Sequence, residues 1–362
     1  MEENEKKEEL VEEQTTALTE VSESETEPLD KNIKLMSPMR MVVNRFFRSR
    51  LSVIGLVMLV SLILFCWVGP VFYNTWGPEQ RDETPKMEIT QTLITYTDAN
   101  GVEHTFYQLQ EQVKKLNSLA PPSKSHPLGT DNSGMDVLAR CMEGGKLSLT
   151  VSLMSVVCIL FLGIVFGGIA GYFGGKIDNL IMRICDVLMC LPGFPIMLIL
   201  GMLIDSSSFF ETLKQDYGIG RIYPLMFFLT LFSWSGTARL VRGQILYLRE
   251  QEYMVAAEAM GYSTGRKIFK HLIPNVLPQL IVSATMSLGS MILYEASLSY
   301  LGLGVSAPSP SWGNMIEVVS KHSGDIGFNV WGPPGLCIIV AVLGFNFVGD
   351  GLRDALDPKM KR

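Results

Sequence analysis

The chain has 362 residues, a formal net charge of −6, a hydrophobic fraction of 48% and 18% charged residues, against about 25% in ordinary soluble domains. With a mean hydropathy of +0.25 and 20 Met, 18 Phe and 33 Gly, it is not a disordered chain, a disulfide scaffold or a nucleic-acid binder relying on net basicity. The acidity is local: residues 1–30 hold twelve acidic side chains and two lysines, a charge of −10, and the other 332 residues carry +4.

Residues 1–35 are too charged, and too poor in large apolar groups, to offset their ordering entropy, and are expected to form a disordered cytoplasmic tail. Residues 36–72 comprise a basic stretch, with Arg40, Arg45, Arg48 and Arg50, and the uncharged run Leu51–Phe72. About 20 apolar residues cross a bilayer, so this run is an expected membrane span rather than a signal peptide. Residues 73–146 form a long loop. In it two β-rich runs flank Asp98-Ala99-Asn100-Gly101, a hairpin signal, and Gln108–Leu119 is expected to be a short helix. Together these elements predict a small α+β insertion.

The core, 147–362, contains five further expected spans: Leu147–Phe173, Leu180–Ile204, Ile222–Ala238, Leu280–Leu303 and Pro334–Val348. Gly163, Gly167 and Gly171 repeat every four residues and predict a helix-packing groove. Leu191-Pro192-Gly193-Phe194-Pro195 predicts a kink or break in the third span, since each proline removes a backbone donor. Segments 31–50, 174–183, 239–270 and 349–362 hold 18 of the basic residues, which predicts N-in/C-in orientation and puts the long loop outside. Arg183 and Asp186 are expected to pair. Glu295 is deep in an apolar run, where a carboxylate is costly; it is expected either to line a translocation pathway, with Pro192 and Pro195, or to bond a neighbouring helix end.

Chemistry-bearing constellations are sparse. The six cysteines form no CxxC pair, and His104 and His126 have no ligand-spaced companions, so neither a metal site nor a catalytic residue is expected. Gly174-Gly175-Lys176 lacks the earlier glycine and the Ser/Thr of a phosphate-binding loop, so no nucleotide site is expected. The polar loop 241–279 is more informative. Tyr253, Ala256, Ala257 and Met260 follow one helical face, Gly261 stops or bends the helix, Ser263 can cap a second one, and Arg266, Lys267 and Lys270 add positive charge. This helical elbow suits insertion into a partner's cleft.

These residues resemble a known family. Ala256, Ala257 and Gly261, followed by His271-Leu272-Ile273-Pro274-Asn275, resemble the EAA motif of permease subunits of bacterial ABC importers, with Val255 where that motif has glutamate. His126-Pro127-Leu128-Gly129-Thr130-Asp131 with Gly134, Asp136, Val137 and Leu138 is similar to the second, shorter permease of oligopeptide/dipeptide/nickel importers. So are Glu295-Ala296-Ser297-Leu298-Ser299-Tyr300-Leu301-Gly302-Leu303-Gly304, Pro310-Ser311-Trp312-Gly313 and Gly349-Asp350-Gly351-Leu352-Arg353-Asp354-Ala355-Leu356-Asp357-Pro358. Met135 stands where an arginine is common.

The resemblance implies an all-α membrane protein with six helices of the type I importer fold, non-catalytic, in a bacterial cell membrane. It implies a homologous second permease, two ATPase subunits carrying ATP and Mg, an extracytoplasmic substrate-binding protein and a peptide substrate, with no cofactor in this chain. It assigns ATPase coupling to Glu252, Tyr253, Ala256, Ala257, Glu258, Met260, Gly261, Ser263, Arg266 and Lys267. Import of nickel or another small solute, and a non-transporting membrane scaffold or sensor, remain as alternatives.

Overall fold

The computed structural model describes residues 38–83, 89–111, 116–217, 222–305, 308–321 and 326–356. The expected tail (1–35) and Asp357 and Pro358 lie outside these. The chain divides into two units after Asn44. Helix α1 (Pro38–Arg48) begins in the first, and the second, residues 45–362, holds the remaining elements. In chain order these are α2 (Arg50–Trp67), α3 (Gly69–Phe72), β1 (Ile89–Thr97), β2 (Glu103–Glu111), α4 (Val137–Phe173), α5 (Gly175–Cys190), α6 (Gly193–Ser206), α7 (Ser208–Tyr217) and α8 (Ile222–Arg249). Then come α9 (Glu252–Ala259), α10 (Thr264–Arg266), a π-helical turn (Lys267–Leu272), α11 (Ile273–Tyr300), α12 (Trp312–Lys321) and α13 (Phe328–Leu356).

Among the described residues, four helical stretches are long and apolar enough to cross a membrane: Arg50–Trp67, Val137–Phe173, Thr264–Tyr300 and Phe328–Leu356. The expected third span is two helices. Helices α5 and α6 meet at 82° across Leu191-Pro192 and make a fifth crossing if counted as one span. The expected fourth, Ile222–Ala238, is the first part of α8. Thr230, Ser233, Ser235 and Thr237 leave it less apolar than the others, and α8 continues through Arg239, Arg242 and Arg249. Only 22–33% of each apolar window is covered by the rest of the chain.

Helix α8 lies in the groove of α4. A Cβ on Gly163 would stand 2.5 Å from Thr237, one on Gly171 3.0 Å from the Arg242 carbonyl, and one on Gly167 would collide with the Ala238 carbonyl. Bare glycine faces let the backbones touch, and dispersion at that separation replaces the hydrophobic drive that lipid does not supply. An ion pair extends the seam to α5, where Arg242 holds both oxygens of Asp178 at 2.5 Å, and Arg249 donates to the carbonyls of Gly171 and Tyr172 at the end of α4 at 3.3 Å. Asp186 pairs with Arg239 of α8, not with Arg183. The rotation that α8 adopts on the glycines turns Arg239 toward α5.

The runs around Asp98–Gly101 pair antiparallel from Ile89↔Glu111 to Thr97↔Glu103. Asp98 closes the turn by accepting from the N–H groups of Asn100 and Val102, and the hydrogen bond from Val102 holds its carboxyl below the usual range. The helix expected over Gln108–Leu119 is absent where described: residues 108–111 belong to β2, because their backbone groups pair with β1.

Gly167→Ala therefore tests the seam, with Gly168→Ala as control, since a Cβ at Gly168 meets only Ile245 at 3.8 Å. Gly167→Ala should cost about 1–3 kcal/mol through overpacking, whereas Gly168→Ala should be neutral or slightly stabilising, read from unfolding of the purified chain in detergent.

Candidate functional site: the helical elbow and the buried staple

The elbow is built by an eight-residue helix, α9, that ends at Ala259. Gly261 has φ +72°, a conformation open to glycine at little cost, and it reverses the chain. Ser263 occupies the cap position of α10, but its side chain makes no capping hydrogen bond; its carbonyl accepts from Lys267 instead. The return segment is knitted by rings and charge. Arg266 lies 4.2 Å from the Tyr262 ring centroid, Tyr262 stacks on His271 at 5.8 Å, and Lys267 stands 3.8 Å from Glu258.

The residues expected on one face of the elbow divide between two sides. Met254 and Ala257 are buried, with Met254 packed into a cluster with Val241, Ile245, Leu272, Val276 and Leu280. Tyr253, Ala256, Glu258 and Met260 are exposed. Ala257 thus belongs to the chain's own packing, because α8 and the π-helical turn cover that side. The exposed apolar side includes Val255 at 61%, Met260 at 62% and, from the return segment, Phe269 at 74%. Glu252 is exposed at the start of α9.

A buried staple ties the long helices together. Glu295 on α11 is completely enclosed in this chain. One oxygen accepts from Ser148 of α4 at 2.9 Å and the other from Ser299 at 2.8 Å. Ser148 in turn accepts from the Trp312 backbone N–H at 3.4 Å, and the buried Trp312 indole donates to the Cys141 carbonyl at 2.9 Å. Glycines make room: a Cβ at Gly313 would stand 2.5 Å from Ser299. Glu295 therefore staples α4, α11 and the start of α12, while Pro192 and Pro195, expected with it along a pathway, lie exposed at the α5–α6 break. The serine partners were not singled out in the sequence. They lie 147 residues apart from Glu295 in one case, and no local spacing signals such a pair.

Beside the staple is a cavity of about 300 Å³ lined by Asp131, Met135, Arg140, Asn314, Glu317 and Val330. Much of its polar lining is engaged within the chain. Arg140 pairs with Asp131 at 3.2 Å and donates to Pro308 O, and Asn314 donates to Ser309 O. Met135, where the resemblance favours an arginine, offers its sulfur to Arg140.

In a double-mutant cycle, Glu295→Ala and Ser148→Ala should each destabilise, with about 0.5–3 kcal/mol of coupling between them, measured by unfolding in detergent. Additive effects would mean that the staple contributes nothing as a pair.

Comparison with known proteins shows what the chain is similar to. A family model described as binding-protein-dependent transport system inner membrane component matches residues 163–362, and one described as the N-terminal TM domain of oligopeptide transport permease C matches residues 37–87. The oligopeptide transport system permease protein OppC of Bacillus subtilis is 32% identical over 88% of each chain. The dipeptide transport system permease protein DppC of Alkalihalophilus pseudofirmus is 32% identical over 94% of this chain and 96% of its own. Among solved structures, an inward-facing MetNI methionine ABC transporter chain is similar with a TM-score of 0.40 and 18% identity, over 59% of this chain and 96% of that one. The chain belongs to the family of binding-protein-dependent transport system inner membrane components.

Proposed function

We propose that the chain is the membrane-spanning permease subunit of an ATP-driven peptide importer and forms half of its pore. The observation that carries this is the match over nearly their whole length to relatives named oligopeptide and dipeptide permeases. The reading includes six crossings, counting α5–α6 as one and the apolar part of α8 as another, with both termini cytoplasmic in a bacterial cell membrane. The partners are a homologous second permease, two ATPase subunits that carry ATP and Mg, and an extracytoplasmic binding protein that delivers the peptide. No chemistry is assigned to this chain itself.

Coupling runs through the elbow. The exposed side of α9 and its return (Tyr253, Ala256, Met260, Phe269) enters a cleft of one ATPase, while Met254 and Ala257 fix the elbow to α8 and α11. Closure of the ATPases then moves these helices as a body, one of two packings biased by ATP and by peptide. The uncovered faces of the apolar helices leave room for lipid and for another subunit.

The test separates the two sides of α9. Met260→Asp with Ala256→Asp should abolish ATPase co-purification and peptide uptake in reconstituted complexes while leaving insertion and thermal stability intact. Ala257→Asp should instead lower stability, by about 1–3 kcal/mol or more for an unpaired buried charge. Full ATPase association in the exposed-side double variant would sink the coupling role, and uptake of nickel or another solute without peptide would overturn the substrate assignment.

A further inference from the structure

One lysine of the elbow turns inward. Its cationic neighbours Arg266 and Lys270 are exposed, whereas Lys267 is only 9% exposed, and lysine is rarely buried without partners. The backbone explains the direction. Lys267 opens the π-helical turn that closes at Leu272, and these two are its buried residues. Residues five apart on an α-helix point about 140° away from each other; the wider i→i+5 turn brings them to one side. Leu272 packs with Met254, Val241 and Ile245, and Lys267 is carried inward with it.

What Lys267 meets there is the end of α4. Its ammonium lies 5.8 Å from the centroid of the Tyr172 ring, within reach of a cation–π contact, and Tyr172 packs against the same cluster as Leu272. On the other side it stands 3.8 Å from Glu258 of α9, whose side chain is 78% exposed, so that pair adds little. Arg249 of α8 donates to the Gly171 and Tyr172 carbonyls. Two cations thus gather at the C-terminus of α4, the end of a helix dipole that favours positive charge. One comes from just before α9 and the other from just after it.

Helix α4 runs without a break from Val137 to Phe173, roughly 55 Å, and carries Ser148, which holds Glu295 in the staple. A displacement applied at its C-terminal end therefore reaches the staple along one continuous helix. We propose that Lys267 is a positioning residue that fastens the return of the elbow to the end of α4 through the Tyr172 ring, making α4 a lever for movement of α9. The inference rests on the coupling role proposed for the elbow, and it moves Lys267 from the surface that meets an ATPase to the chain's own interior.

Hydrogen exchange of peptides covering 164–175 and 250–272, on the full-length chain in nanodiscs, reads the fastening without any transport. Lys267→Met keeps the apolar stem and removes the charge, and should raise exchange severalfold in both peptides. Tyr172→Leu should do the same, and the double variant no more than either single one. Lys267→Arg, whose guanidinium also lies over aromatic rings, should keep wild-type protection. Unchanged exchange in Lys267→Met, or additive effects in the double variant, overturns the proposal. Should Lys267→Met fail to fold, Tyr172→Leu carries the measurements.

A second readout uses complexes reconstituted with ATPases, binding protein and a labelled oligopeptide pool. Lys267→Met should retain ATPase co-purification yet hydrolyse severalfold more ATP per peptide imported, with Lys267→Arg close to wild type. An unchanged ratio, or loss of co-purification, overturns the positioning role. A wild-type complex that imports no peptide counts against the importer reading instead, and the exchange measurement then decides the fastening by itself.

Discussion

The close approach of α4 to α8 is the constraint on which the rest depends. Three glycines one turn apart remove the side chains that would hold two helices at an ordinary spacing. Once α8 is seated, its rotation is set, and with it the direction of Arg239, Arg242 and Arg249, which reach α5 and the end of α4. The same rotation presents Val241 and Ile245 to the cluster that receives Met254. The elbow therefore inherits its orientation from the glycine stripe, through packing and charge on one helix.

Local spacing makes part of this architecture legible in the sequence. The glycine stripe, the Asn-Gly turn and the two prolines around Gly193 each act through neighbours a few residues away, so pattern alone reveals them. Three features escape that logic. Asp186 has a basic residue three positions before it, yet its partner is 53 residues distant, because the rotation of a second helix decides the pair. In α9 and its C-cap apolar residues occupy both sides, Met254 and Ala257 on one and Val255, Ala256 and Met260 on the other, and only the covering helix decides which side turns inward. Residues 108–111 have helical company in the sequence, but β1 claims their backbone.

The family motifs acquire physical reasons from the structure. In the stretch His126–Asp131, Gly129 has φ +82° and abuts the Ala120 carbonyl and Asn329. Thr130 donates to Asn117 O and accepts from the Ala120 N–H, and Asp131 accepts from Ser133 and Met135 N–H. The motif folds the loop onto the head of α4. The segments 295–304 and 310–313 serve the same helix further along, where Glu295 and Trp312 meet it. At the far end of α13 a Cβ on Gly351 would collide with Ser52, so the motif there marks where α2 and α13 cross.

The corner between α5 and α6 has a consequence for hydration. A helix end leaves several carbonyls or N–H groups without intrahelical partners, and an 82° break puts two such ends together within an otherwise apolar stretch. The start of α6 at Pro192 carries no side-chain cap. In hydrocarbon each unmet group costs several kcal/mol, so irregular backbone at membrane depth persists only against protein or a water-filled cavity. If the corner at Leu191-Pro192 lies within the hydrocarbon, it is a place that lipid tails avoid, wet or covered by protein.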